Sequence, residues 1–188
     1  MRRHLVRTIV LVLALPFQPH SAAAGNPPPA LNRSAEPAPG EKHLDWLAFD
    51  AAAEQAKKAN KHLVVDIYTT WCGWCKVMDR QTYGNAEIAD YLTQNFVLTK
   101  VNGESSSRLH WQGKVMTERE FARAVGVTGF PTTFFLKPDA EIVGGRPGFI
   151  QAKEFLMIAR YVGTRWYEKG KFQDFVEANE EPKVPEKQ

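Results

Sequence analysis

Between Leu44 and Val176 the apolar positions change period several times, and each period predicts an element. Leu44, Leu47, Ala48, Ala51, Ala52, Gln55, Ala56 and Ala59 recur at helical spacing, with Asn60-Lys61 closing the run, so a helix is expected to open the fold. His62 to Tyr68 (HLVVDIY) is apolar, β-branched and too short for a helix, which suits a strand buried on both faces. Cys75 to Gln81 reads as helix, a second helix follows the N-cap candidate Asn85 and runs to Gln94, and Phe96 to Val101 returns to strand. The stretch from Asn102 to Met116 has no clear period. Thr117-Glu118-Arg119-Glu120 spells a capping box for a helix through Val125 that Gly126 ends. Thr132 to Leu136 and Glu141 to Gly145 read as strands joined at Lys137-Pro138-Asp139-Ala140. Ala152 to Val162 offers Phe155, Ile158, Ala159 and Val162 as the inner face of a helix, and Phe172, Phe175 and Val176 suggest one more short helix.

The chain has 188 residues, room for one domain with extensions. Residues 1–24 run from a basic start through an apolar stretch, Thr8 to Phe17, to Ser21-Ala22-Ala23-Ala24, the three-part order of a secretory signal. The stretch is short for a membrane span. An exported protein of the bacterial periplasm is therefore expected, held by an N-terminal membrane anchor if the signal stays uncleaved. Residues 25–41 hold Pro27, Pro28, Pro29, Pro37 and Pro39 with almost nothing apolar, a linker composition. The domain is expected over 42–178, with a charged tail over 179–188. The net charge of +3 comes entirely from Arg2, Arg3 and Arg7, beyond which basic and acidic residues balance. A nucleic-acid partner, which would need a positive field, is not expected.

Only two cysteines occur, Cys72 and Cys75, too few for a four-cysteine zinc site or a multi-bridge scaffold. They lie in Trp71-Cys72-Gly73-Trp74-Cys75, between a buried strand and a helix. At a helix N-terminus Cys72 meets free N–H groups and the positive end of the macrodipole, both favouring its thiolate. Cys75 is one turn on, on the same face, within bridging distance. The pair can therefore open and close a disulfide, with an exposed first sulfur attacking and a sheltered second sulfur resolving. A permanent structural bridge and a copper- or zinc-binding dithiol are the other readings. Lys76 in place of histidine after Cys75 excludes haem attachment.

The run HLVVDIYTTWCGWCK resembles the active-site strand, turn and helix of the thioredoxin superfamily, and Gly129-Phe130-Pro131-Thr132 is similar to its second signature, a loop bearing a cis-proline. Within the superfamily the chain looks most like exported thioredoxin-related proteins, including the SoxW-like group, which carry WCxxCK followed by a methionine, here Met78. The resemblance implies an α/β thioredoxin fold, a central mixed sheet flanked by helices, with an extra N-terminal helix and a C-terminal helical extension. It also implies a thiol–disulfide oxidoreductase acting on protein thiols and disulfides with no cofactor beyond the Cys72–Cys75 disulfide, and no metal. Asp66 matches the buried acid that exchanges a proton with the second cysteine, and Lys100 the lysine paired with it. Trp71, Trp74, Phe130 and a cis Pro131 would form the substrate platform, with Gly73 supporting the turn.

Two features depart from the family pattern. Trp74 stands where thioredoxin carries proline, and the segment from Gly103 to Met116, with His110 and Trp111, is longer than the matching connection; it is either a partner-recognition loop or a plain connector. Matches at Trp71, Gly73, Asp66 and Lys100 imply a reductant rather than an oxidant, and an exported reductant requires a membrane thiol donor. The rival class is a redox-inert binding module or Cu(I)-binding dithiol on the same fold.

Overall fold

The computed structural model describes residues 44–179. The expected signal, linker and charged tail beyond Asn179 lie outside the described residues.

Five strands form one mixed sheet in the order β1 (Trp46–Leu47), β3 (Phe96–Asn102), β2 (His62–Tyr68), β6 (Thr132–Leu136) and β7 (Ile142–Pro147). β1, β3 and β2 are mutually parallel, whereas β6 runs antiparallel to β2 and β7 antiparallel to β6. The central strand β2 is buried on both faces, as its unbroken apolar run predicts. Successive side chains alternate between two cores. Val64, Leu98 and Phe135 pack under α3 (Ala86–Asn95) and α5 (Ala152–Gly163), through Leu92, Phe155 and Ala159. Leu63, Val65, Ile67 and Phe134 pack under α1 (Phe49–Ala59) and α4 (Glu118–Ala124), through Phe49, Ala52, Ala56 and Phe121. Each such apolar side chain contributes roughly 1.5–3 kcal/mol on burial, so the sheet is a fixed platform for whatever its ends carry. α6 (Phe172–Asn179) docks on α5 through Phe175 against Tyr161, the C-terminal extension.

The structure corrects two of the expected elements. The opening helix starts at Phe49, not Leu44, because Trp46 and Leu47 are drawn into parallel pairing with Leu98 and Thr99 at the sheet edge. Residues 102–116 are not aperiodic: β4 (Arg108–Trp111) and β5 (Lys114–Thr117) form an antiparallel hairpin. Its turn residues Gln112 and Gly113 both have positive φ, 49° and 75°, the backbone that a tight two-residue hairpin requires. Leu109 is buried, and the Trp111 ring meets Phe121 at 5.2 Å while its Nε1–H donates to the Ala140 carbonyl at 3.1 Å.

The helix bearing the second cysteine is α2 (Gly73–Met78), and past Met78 it continues as a π-turn, Asp79–Tyr83. The Gly84 N–H closes this turn on the Asp79 carbonyl at 2.9 Å. A Cβ at Gly84 would lie 2.6 Å from the Arg80 carbonyl oxygen, so only glycine fits there. Single π-turns inside α-helices recur at functional sites, and this one carries Asp79 and Tyr83 at its two ends.

Candidate active site

Strand β2 ends at Tyr68, and the chain turns there so that Cys72 caps α2. The Cys72 N–H donates to the Thr69 carbonyl at 3.2 Å, and the Cys75 N–H donates to Cys72 Sγ at 3.0 Å. That sulfur therefore receives one of the helix's otherwise unpaired donors, an arrangement that favours negative charge on it when the bridge is open. The two cysteines form a disulfide, Cα atoms 5.3 Å apart. Cys72 is less open than the sequence reading expects, 4% exposed against 5% for Cys75. Joined to its partner and folded back on the first turn of α2, it leaves no more surface than Cys75.

Aromatic side chains surround the pair. Trp71 and Trp74 are the two most exposed large apolar residues described, at 65% and 61%. Trp71 Nε1–H donates to Glu104 Oε2 at 2.9 Å, and its ring meets Phe130 edge-on at 6.0 Å. Phe130 precedes a cis peptide bond to Pro131. Gly103 receives the Phe130 ring: a Cβ there would come within 2.5 Å of it. Trp74 leans on Phe149 with ring centres 5.6 Å apart. Around Gly73 a Cβ would meet nothing within 4 Å, so no close contact demands a glycine there.

A second group, of charged residues, gathers on β2, β3 and the π-turn. Asp66, on β2, is 2% exposed, and its Oδ1 is buried without a hydrogen-bond partner. Lys100 is its register partner on β3 and brings Nζ to 3.4 Å from Oδ2. The same Nζ is hydrogen-bonded to Asp79 Oδ1. Burial pushes the Asp66 carboxyl up to about 6, with the Lys100 charge opposing and the Asp79 charge adding to the rise. Tyr83 is buried beside it, its hydroxyl 3.3 Å from Thr133 Oγ1, and burial together with the Asp66 charge holds it well above the ordinary tyrosine range.

Residues 49–163 match the Thioredoxin-like domain family, more than half of the chain. The chain belongs to that family. It is 31% identical over 145 residues to the chloroplastic thioredoxin-like protein CITRX of Arabidopsis thaliana, covering 71% of this chain and 70% of that protein. An uncharacterized Caenorhabditis elegans protein is 27% identical over 136 residues, 68% of this chain but only 18% of that protein. Among solved structures, a thioredoxin from Thermus thermophilus superposes with a TM-score of 0.54 at 27% identity, covering 64% of this chain and 88% of that one.

Within this thioredoxin-like domain the sequence-predicted residues fall into two groups. Cys72 and Cys75 form the disulfide, the flanking Trp71 meets Phe130, which precedes the cis bond to Pro131, and Trp74 turns instead toward Phe149. Asp66 and Lys100 form the buried charged group. Sequence reasoning missed Asp79, Tyr83, Glu104 and Phe149. Asp79 was within reach of it, since it follows Cys75 by four, one helical turn on. His110 and Trp111 are engaged by the body of the domain: the His110 N–H and Nδ1 meet the Asp50 carboxylate at 2.7 and 2.8 Å, and Trp111 packs as described.

Proposed function

We propose that this thioredoxin-like domain is a thiol–disulfide oxidoreductase that exchanges disulfides with protein substrates through Cys72 and Cys75. The observation that carries the reading is the placement of the disulfide-bonded pair at the start of α2, with Cys72 Sγ accepting the Cys75 N–H; the buried Asp66 carboxyl, pushed up to about 6, supports it as the proton acceptor of the reaction. A sulfur so placed is a better anion than a free thiol, and an acid of this proton affinity both takes and returns a proton at physiological pH.

In the reducing direction the Cys72 thiolate attacks one sulfur of a substrate disulfide, and the other substrate sulfur leaves with the electron pair. The Cys75 thiol gives its proton to the Asp66 carboxylate and attacks Cys72 Sγ. The bond from Cys72 to the substrate breaks, the second substrate sulfur leaves as a thiolate, and both substrate thiolates take protons from solvent while the Cys75 proton stays on Asp66. The substrate gains two electrons and two protons, and the domain is left as its disulfide. A dithiol donor then reduces Cys72–Cys75 by the reverse steps. Trp71, Trp74 and the Phe130-Pro131 loop form the platform for the substrate chain. We further place the protein with exported, SoxW-like reductants supplied by a membrane thiol donor, a reading supported by the pattern of residues 1–24 and by Trp71, Gly73, Asp66 and Lys100 at thioredoxin-like positions.

Insulin reduction by the full chain, driven by dithiothreitol, tests the activity, and Cys75→Ser should accumulate mixed disulfides with substrate proteins. A pair that stays locked, or that holds stoichiometric Cu(I) and exchanges with no protein, contradicts the reading.

A further inference from the structure

Lys100 is shared between two carboxylates of unlike surroundings. Its Nζ is bonded to Asp79 and stands 3.4 Å from Asp66, whose side chain is 3% exposed against 45% for Asp79. The rings of Trp46, Tyr68 and Tyr83 lie 4.9, 5.5 and 5.7 Å from the same nitrogen, so aromatic faces favour the charge where it is and narrow its range. Asp66 is left with one oxygen facing a shared ammonium and the other, Oδ1, buried without a hydrogen bond. The groups facing Asp66 are Lys100 from β3, Asp79 and Tyr83 from the π-turn and the uncharged Thr133 from β6.

We propose that Asp79 is a positioning residue: by holding Lys100 on its own, more exposed carboxylate, it withholds full neutralisation from Asp66 and so sets how firmly Asp66 keeps its proton. The proposal rests on the exchange reaction above, in which Asp66 takes the Cys75 proton as the thiolate forms and returns it when the disulfide is reduced. The π-turn gives the device its geometry, because it brings Asp79 and Tyr83 to opposite ends of one turn beside Lys100. Without the Asp79 charge, Lys100 would pair with Asp66 alone, and the acid would ionise at lower pH as a weaker base.

The test is a carbon NMR titration of the Asp66 carboxyl in the full chain, alongside the pH profile of disulfide exchange, for wild type, Asp79→Asn and Asp79→Glu. The expected result is a fall of the Asp66 midpoint by about one pH unit or more in Asp79→Asn, its recovery in Asp79→Glu, and an equal displacement of the exchange profile. When Asp66 is already asparagine, Asp79→Asn should leave the profile unmoved. An Asp66 midpoint indifferent to Asp79→Asn overturns the proposal, as does a profile that moves equally without Asp66. Failure of wild type to exchange disulfides is read from the assay alone and contradicts the proposed function, while the titration still reports on Asp79.

Discussion

Asp66 and Lys100 are register partners across the parallel strands β2 and β3, with Nζ 3.4 Å from Oδ2, yet the aspartate holds its proton more tightly than an ordinary carboxyl. Burial outweighs a single, shared positive charge. A pair of opposite charges across two strands suggests a structural ion pair; the environment of this one makes it an acid poised near neutral pH.

Asp66 should cost stability, and the cost should grow with pH. Its folded value of about 6 exceeds the ordinary 3.8, so between those values the folded chain binds the proton that the unfolded chain releases. By linkage, stability falls as pH rises from about 4 to about 6 and stays lowered above that range, by about 3 kcal/mol. Asp66→Asn is expected to flatten this limb and raise stability at pH 7, measured by urea unfolding at pH 4 and pH 7. An unchanged pH dependence would show that Asp66 is not responsible. In exchange assays the same variant should slow the resolving step more than the first attack.

The two cysteines should differ in chemistry although their burial is alike. In the reduced protein, Cys72 should alkylate first near neutral pH, because its sulfur caps α2 and accepts the Cys75 N–H. Mass spectrometry after brief iodoacetamide treatment reads this, and faster labelling of Cys75 would reverse the assigned roles.

Gly103→Ala should disturb the substrate platform from behind. The added Cβ would fall 2.5 Å from the Phe130 ring, which must then move away from Trp71. A stability loss of about 1–3 kcal/mol is expected, as for other overpacked sites, together with a raised KM for protein substrates. Unaltered KM and Tm would mean that the ring finds another seat without consequence.

Trp74→Ala should separate recognition from folding. With the indole 61% exposed and resting on Phe149, its loss should change stability by about 1 kcal/mol or less while raising KM for insulin. A large loss of Tm with unchanged KM would assign Trp74 to packing.

The parts legible in the sequence are those where one physical cause dominates. The unbroken apolar run of β2, the capping box of α4, with Thr117 and Glu120 bonded reciprocally, and the inner face of α5 all stand where their patterns put them. The hairpin escaped because its strands are four residues each and only Leu109 is fully buried, too little for a period. Leu44 and Leu47 fit the helical spacing, and only the pairing of Trp46 and Leu47 with the edge of β3 decides for a strand there. At the site, Cys72, Cys75, Asp66 and Lys100 were legible from motif and spacing. Asp79 follows Cys75 by one helical turn, but that spacing does not show its pairing with Lys100, and Tyr83 is brought to Lys100 by a π-turn that leaves no mark in local periodicity.

The central claim is that Cys72 and Cys75 cycle reversibly, and the most direct measurement is equilibration of the full chain with graded dithiothreitol and glutathione buffers, followed by acid quenching and thiol alkylation. The expected result is one two-electron transition between dithiol and disulfide, with a midpoint nearer thioredoxin at about −270 mV than DsbA at about −120 mV. A midpoint near the second value would contradict the reducing direction, and a pair that stays oxidised in every buffer would contradict the exchange reaction itself.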